Sequence, residues 1–212
     1  MIEAVIFDLD GVIVTTDNFH YLAWKKIADK ENIYFDEKIN NRLRGVSRKE
    51  SLEIILEKAN KEYTKIEKNI LIEEKNKYYV NLLSSLTSKD ILSNIEILLK
   101  KLNANNIKVA IGSSSKNTKL ILKQIGLLDS FDAISDGNDI NKSKPDPEVF
   151  LVAAKKLNIK PDNCMVIEDA VAGIKAAKNA GMFAIGIGDA TSSNLCDAKI
   201  NNIIEIINIV KV

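Results

Sequence analysis

Hydrophobic positions follow two different patterns along the chain. The run Ala4–Phe7 is continuously apolar, which is typical of a central strand covered on both faces. From about residue 18 to residue 83 the pattern is instead helical, because apolar residues recur at intervals of three and four. Beyond residue 87, short strand-like runs alternate with helical stretches. The chain therefore combines a helical block with a strand–helix alternation.

The alternating part predicts most of a parallel sheet. Strands are predicted over 108–112, 164–168 and 183–187, and helices over 117–125, 147–157 and 170–180. This alternation predicts an α/β fold with a Rossmann-like, mostly parallel sheet and helices on both faces. The last segment, residues 201–212, is compatible with either a final strand or a short helix.

The helical block interrupts the α/β part just after its first strand. Two of its segments, Ser47–Glu50 and Thr64–Glu67, have the spacing of a helix capping box. We therefore expect an α/β catalytic core formed by residues 1–14 and 87–212, with a helical cap domain over residues 15–86. An insert that leaves and rejoins the core at nearly one place is suited to act as a hinged lid.

Composition excludes several classes of partner. Lys and Arg number 30 against 29 Asp and Glu, so the net charge of +1 favours neither nucleic acid nor an anionic membrane. No apolar stretch approaches the roughly 20 residues that span a bilayer, and the first apolar run lacks the basic flank of a signal peptide. Cys164 and Cys196 have no metal or redox spacing, so reduced thiols are expected. We expect a cytoplasmic monomer whose partners are small molecules.

Candidate chemistry begins with two carboxylates at the end of the first strand. Asp8 and Asp10 come just before a turn at Gly11. Because side chains along a strand alternate between its two sides, both carboxylates point to the same side. The carboxyl edge of an open α/β sheet is where ligands bind. Two carboxylates so close repel each other unless a cation or a shared proton relieves them. A simple Asp-Gly turn would explain Asp10 and Gly11, but it leaves Asp8 unexplained.

Polar residues also follow the later predicted strands. The segment Ser113–Asn117 offers hydroxyls and amides at a helix start, which suits an anion, although a flexible serine turn is the alternative. Lys144 stands beside two prolines, where a solvated surface lysine is the alternative. Glu168 and Asp169 end an apolar strand, where they could instead interact with a helix dipole. Their combination is more specific than any one motif, because carboxylates, hydroxyls and a lysine together suit phosphoryl transfer.

This ordered set resembles the haloacid dehalogenase-like phosphotransferase superfamily, over the whole core and with the insert placed as that superfamily's mobile cap. The resemblance implies that Asp8 is the nucleophile and forms an aspartyl phosphate, and that Asp10 is the general acid/base. It implies that Ser113, Ser114 and Lys144 bind the transferred phosphoryl group. It also implies a Mg²⁺ cofactor held by Asp8, the backbone carbonyl of Asp10 and Asp169, with Glu168 either a direct ligand or a residue that supports a ligand.

Further motifs resemble superfamily members that move a phosphoryl group between two positions of one hexose. These motifs are Phe7–Ile13, Arg44–Arg48, Ser113–Asn117 and Glu168–Ile174. The resemblance implies interconversion of β-D-glucose 1-phosphate and glucose 6-phosphate through a β-glucose 1,6-bisphosphate intermediate. A sugar-phosphate phosphatase of the same superfamily is the alternative. A non-catalytic sugar-phosphate sensor is disfavoured, since no acid required for the chemistry is missing.

The main expected substrate contact is Arg48, because an arginine can bind a phosphate through two nitrogens. The alternative is an exposed residue in the first turn of a helix, but a positive charge there is unfavourable with the helix dipole. His20 is the single histidine, and although a lone histidine more often packs, the resemblance implies that it positions Asp10. Thr15 stands where relatives commonly have Asp, so closure of the cap could be altered. The remaining expected substrate-binding residues are Thr16, Trp24 (alternatively a core residue), Gly45, Val46, Ser47, Ser114, Ser115, Lys116 and Asn117, with Lys75 and Asn76 as further candidates.

Overall fold

A parallel sheet organises the fold. The computed structural model describes residues 1–44 and 46–210. Its strands are β1 (Ala4–Phe7), β2 (Lys108–Gly112), β3 (Ala133–Ser135), β4 (Cys164–Glu168), β5 (Phe183–Gly186) and β6 (Ala198–Lys199). Within the described residues they form one sheet of order β3-β2-β1-β4-β5-β6, and every pairing is parallel. The fold class predicted from the sequence is therefore confirmed.

Helices cover both faces of the sheet and form a block of their own. They are α1 (Asp17–Lys30), α2 (Glu37–Asn41), α3 (Arg48–Leu56), α4 (Lys65–Leu83), α5 (Ile95–Ala104), α6 (Thr118–Gln124), α7 (Glu148–Leu157), α8 (Val171–Asn179) and α9 (Ile206–Val210). We call α1 to α4 the helical segment. None of the helices in the described ranges has the length and apolarity needed to cross a membrane.

The central strand explains why its sequence is apolar without alternation. Val5 and Phe7 pack into the cluster beneath α5 and α6, whereas Ala4 and Ile6 pack into the cluster beneath α7 and α8. All four side chains are fully buried, because successive residues of a strand point to opposite faces. Pairing with β2 on one side and β4 on the other fixes the end of β1 in the middle of the sheet edge.

The helical segment has a third apolar cluster, whose buried members include Trp24, Leu52 and Leu71. Both predicted capping boxes are present, with Ser47 and Thr64 each accepting a backbone N–H from the residue three positions on. The division into a core and a cap domain at residues 15–86 stays a prediction.

Most predicted element bounds agree with the structure. The strands over 108–112 and 164–168 agree at both ends, and β5 ends one residue before the predicted strand 183–187. Helices α6 and α8 are one residue shorter at each end than predicted, and α7 is one residue shorter at its start. Within 201–210 the chain forms a 3-10 turn (Ile203–Glu205) followed by α9, so the helical alternative for this segment is confirmed and the strand is wrong. Residues 211–212 of that prediction lie outside the described residues.

Candidate active site

A cavity of about 1000 Å³ lies between the carboxyl edge of the sheet and helices α1, α3 and α4. Thr16 lies beside Asp10 rather than in the cavity lining, and Gly45 lies outside the described residues. The predicted site residues that line the cavity are Asp8, Asp10, His20, Trp24, Val46, Ser47, Arg48, Ser113, Ser114, Ser115, Lys116, Asn117, Lys144, Glu168 and Asp169.

Sheet pairing brings three carboxylates together at this edge. β1 and β4 pair with Phe7 beside Ile167, so the next residues, Asp8 and Glu168, lie side by side. One oxygen each from Asp8, Glu168 and Asp169 lies within 4.8 Å of the other two. Carboxylate oxygens are the hard ligands that divalent cations such as Mg²⁺ prefer. These three carboxylates therefore fit a divalent metal. The side chain of Asp10 does not belong to this group of carboxylates.

The approach of Asp169 depends on Gly11. Gly11 turns the chain after β1 with a φ of +86°, and its N–H donates to the Val14 carbonyl at 2.8 Å. A Cβ on Gly11 would overlap with the carboxylate of Asp169, so glycine leaves the space that this acid occupies. Burial raises the pKa of Asp169, and the charges of Glu168 and Asp8 raise it further. A bound cation would relieve this repulsion.

Lys144 lies between two of the acids. Its Nζ donates to Oδ1 of Asp8 at 2.6 Å and to Oε1 of Glu168 at 2.5 Å, and its side chain is 2% exposed. Burial opposes protonation of Lys144, but the charges of Asp8 and Glu168 outweigh it and raise the pKa. The second oxygen of Glu168 accepts the backbone N–H of Ala170 at 2.9 Å. Lys144 and Glu168 are therefore held rigidly against the nucleophile candidate.

Asp10 is held by the start of the helical segment. The N–H of Thr16 donates to its Oδ1 at 2.6 Å, and the Thr16 hydroxyl donates to its Oδ2 at 2.5 Å. The Tyr79 hydroxyl lies 2.8 Å from the same Thr16 oxygen. Burial raises the pKa of Asp10 to about 7, although the Thr16 hydrogen bonds oppose the shift. A carboxyl group with such a pKa can both give and take a proton near neutral pH.

His20 links Asp10 to a buried lysine. Nε2 of His20 lies 3.8 Å from Oδ2 of Asp10, and Nδ1 lies 2.9 Å from Nζ of Lys75. Lys75 is 1% exposed, its Nζ lies 4.3 Å from the centre of the Tyr79 ring, and burial together with the charge of Arg48 lowers its pKa. Burial lowers the pKa of His20, and the positive charges of Lys75 and Arg48 lower it further. A neutral imidazole that accepts from Lys75 carries its own proton on the side of Asp10.

The position of Lys75 within α4 gave a stronger signal of a buried polar contact than the sequence analysis used. The buried residues of α4 are Leu71, Ile72, Lys75, Tyr79 and Leu83. A lysine within such a stripe must find polar partners, because burying an unpaired charge is costly. Tyr79 was not singled out from the sequence, since a tyrosine on an apolar stripe gives no signal of the hydroxyl contact that it makes.

Serine side chains order the loop after β2. Oγ of Ser113 accepts the N–H of Ser115 at 3.2 Å, and Oγ of Ser115 accepts the N–H of Asn117 at 3.1 Å. The Asn117 side chain donates to Oδ1 of Asn76 in α4 at 3.0 Å. Oγ of Ser114 is buried and has no partner among the described residues. An unsatisfied hydroxyl that lines the cavity is available to a ligand.

Arg48 faces the same cavity from the first turn of α3. It is half-buried, and within residues 1–44 and 46–210 no carboxylate forms an ion pair with it, although the charge of Glu73 acts on it from nearby. Burial lowers its pKa, but a guanidinium remains charged at every physiological pH. Lys116, on the opposite side of the cavity, is exposed. These two cations make the cavity suitable for a second anionic group besides one bound at the three carboxylates.

Arg44 received no role of its own from the sequence, and the structure gives it two partners. Its Nη1 donates to Oδ2 of Asp189 at 2.5 Å, and its Nη2 donates to the carboxylate of Asp17. The partners stand 27 and 145 residues away in the chain, so no local pattern could have joined them.

The fold and the acids at the sheet edge agree with a family of phosphotransferases and hydrolases. The family model described as haloacid dehalogenase-like hydrolase matches residues 2–181. The chain belongs to this family, which confirms the resemblance seen in its motifs.

More specific similarities come from individual proteins. Beta-phosphoglucomutase of Bacillus subtilis (strain 168) is 50% identical over 188 residues, which cover 88% of this chain and 83% of that protein. The crystal structure of beta-phosphoglucomutase from Clostridium difficile matches with a TM-score of 0.91 and 48% identity, covering 95% of this chain and 92% of that one. The phosphorylated carbohydrates phosphatase of Thermotoga maritima is 30% identical over 183 residues, covering 85% and 82%.

Proposed function

We propose that the protein interconverts β-D-glucose 1-phosphate and glucose 6-phosphate through an aspartyl-phosphate enzyme and β-glucose 1,6-bisphosphate. The observation that carries this proposal is a cavity with two ends. Asp8 and Asp10 lie at the sheet edge, whereas Arg48 enters the cavity from α3, has no ion-pair partner in the described part of the chain, and can bind a second phosphate. The 50% identity to a beta-phosphoglucomutase supports the same function.

Asp8 is the nucleophile in this proposal. Its carboxylate oxygen attacks phosphorus and forms the aspartyl phosphate as the bond from phosphorus to the sugar oxygen breaks. Lys144 holds the Asp8 carboxylate in place and supplies positive charge beside the transferred group, which Ser113 and Ser114 also contact. Asp8, the Asp10 backbone carbonyl, Glu168 and Asp169 would hold Mg²⁺. When bound, that ion would neutralise charge on the phosphoryl oxygens.

Asp10 moves the proton of the sugar hydroxyl. In its acid form it protonates the departing oxygen, and as a carboxylate it accepts the proton of the attacking hydroxyl. The contacts from Thr16 and His20 set its orientation. Arg48, with Ser115, Lys116 and Asn117, binds the phosphate that is not being transferred, so the bisphosphate can turn round and present its other end.

A sugar-phosphate phosphatase is the second candidate, and the 30% identity to a phosphorylated carbohydrates phosphatase favours it. In that reaction water replaces the sugar hydroxyl that accepts the phosphoryl group from Asp8. A cytoplasmic location and a monomeric state remain predictions of the sequence.

One experiment separates the two functions. Purified protein is mixed with β-glucose 1-phosphate, Mg²⁺ and a trace of β-glucose 1,6-bisphosphate, and both glucose 6-phosphate and inorganic phosphate are followed. The mutase yields glucose 6-phosphate with little phosphate. Phosphate release without isomerisation would reject the mutase and support the phosphatase. The Asp8→Asn variant serves as the control, because neither product should form.

A further inference from the structure

A charged cluster formed by Arg44, Asp17 and Asp189 joins the helical segment to the sheet edge. Arg44 lies between α2 and α3, Asp17 begins α1, and Asp189 lies in the 3-10 turn Gly188–Ser192 after β5. The guanidinium donates through Nη1 to Asp189 at 2.5 Å and through Nη2 to Asp17. A planar guanidinium that uses two nitrogens at once fixes both its position and its orientation.

The turn that carries Asp189 is bonded directly to the backbone of the acidic site. The N–H of Ala190 donates to the carbonyl of Asp169 at 2.8 Å, and the N–H of Ile187 donates to the carbonyl of Glu168 at 2.9 Å. Asp189 therefore stands on a support that cannot shift without disturbing the proposed metal ligands. It gives Arg44 a fixed anchor on the sheet side.

On the other side, Arg44 precedes Arg48 by four residues. Arg48 begins α3, and the capping box of Ser47 and Glu50 stiffens the first turn of that helix. Holding Arg44 against the sheet edge therefore restricts where Arg48 lies over the cavity.

We propose that Arg44 and Asp189 form a clasp that keeps the helical segment closed over the cavity and thereby positions Arg48. This inference rests on the proposed mutase function. Neither residue contacts the reacting atoms, so both are positioning residues. Opening of the helical segment breaks the clasp, and an open cavity admits water to the aspartyl phosphate, which then ends as inorganic phosphate instead of a second sugar phosphate.

The size of the effect follows from exposure. The Asp189 side chain is 77% exposed and that of Arg44 is 34% exposed, so the ion pair is partly screened by water. Ion pairs of this kind shift an equilibrium by about two- to five-fold. Removing the charge of Asp189 should therefore raise the fraction of turnovers that end in phosphate release by about two- to five-fold.

The test compares Asp189→Asn with a matched charge removal. Asp29 pairs with Lys25 inside α1, away from the cavity, so Asp29→Asn makes the same change in net charge without touching the clasp. For each protein we would measure phosphate released per glucose 6-phosphate formed, the KM for β-glucose 1-phosphate, kcat, and the urea midpoint. We expect Asp189→Asn to raise the phosphate ratio and the KM with an unchanged urea midpoint, and Asp29→Asn to match the wild type.

Salt provides a second readout that a merely structural role would not move. Raising NaCl from 0.01 M to 0.5 M shortens the screening length roughly sevenfold and should raise the wild-type phosphate ratio toward that of Asp189→Asn, with a smaller rise in the variant. The proposal is overturned if Asp189→Asn has the phosphate ratio and KM of Asp29→Asn at low salt. If the wild type only hydrolyses its substrate, the mutase function fails, and the KM of phosphate release still tests the clasp.

Discussion

Gly173 provides a sharp test of how the acidic site is built. It is the third residue of α8, and replacing a helical glycine by alanine ordinarily stabilises the helix by up to about 1 kcal/mol. In this structure a Cβ on Gly173 would lie 2.5 Å from Cγ of Glu168 and closer still to its carboxyl group. We therefore expect Gly173→Ala to destabilise the protein, which is the opposite of the usual sign.

The magnitude follows from what Glu168 would lose by moving. Its side chain is 1% exposed, and its two oxygens are bonded to Lys144 at 2.5 Å and to the N–H of Ala170 at 2.9 Å. Losing a partner from a buried ion pair costs about 3 to 5 kcal/mol. Subtracting the gain in helix propensity leaves a net loss of about 2 to 4 kcal/mol in the free energy of unfolding.

The assay is a double-mutant cycle by urea unfolding, with wild type, Gly173→Ala, Glu168→Ala and the double variant. Without the Glu168 side chain, the added methyl group meets no carboxylate, so Gly173→Ala should be neutral or stabilising by up to about 1 kcal/mol. The single variant should also need more Mg²⁺ for half-maximal activity, since Glu168 is displaced. Equal destabilisation in both backgrounds, or stabilisation of the wild type, would refute the reasoning.

Three other changes test separate features. Asp8→Asn should lower isomerisation and phosphate release by at least about 10³-fold in the coupled assay, and a residual rate above about a tenth would reject Asp8 as nucleophile. Lys144→Met leaves Asp8 and Glu168 without a counter-charge, so urea unfolding in EDTA should show a decrease of about 3 to 5 kcal/mol in the free energy of unfolding. Mg²⁺ should restore part of this decrease, and a decrease below about 1 kcal/mol would contradict the reasoning. Thr64→Ala removes a helix cap and should cost about 1 kcal/mol with kcat unchanged.

Sequence patterns predicted those parts of the fold that have either a continuous apolar run or a helical period. β1, β2 and β4 are buried on both faces or nearly so, and their apolar runs predict them directly. β3 and β6 are three and two residues long, which is too short for any periodicity, and their pairing depends on neighbours far away in the chain.

The candidate site divides in a similar way. Carboxylates that directly follow apolar strands, such as Asp8 and Glu168, could be predicted because a parallel sheet gathers its carboxyl ends at one edge. The contact of Lys75 with His20 joins residues 55 positions apart, and that of Arg44 with Asp189 joins residues 145 apart. Such contacts depend on how the helical segment lies over the sheet, and nothing within either local sequence specifies that placement.

The central place of β1 has a consequence for synthesis of the protein. β1 comes first in the chain, yet it pairs with residues 108–111 on one side and 164–167 on the other. A ribosome that adds about 5 to 20 residues per second therefore needs about 8 to 30 s after β1 to complete the second of its two partner strands. The helical segment, whose apolar cluster is complete by Ile72, can fold during that interval. We expect early truncation products to retain a folded helical segment and an exposed β1, which makes them natural targets for chaperones.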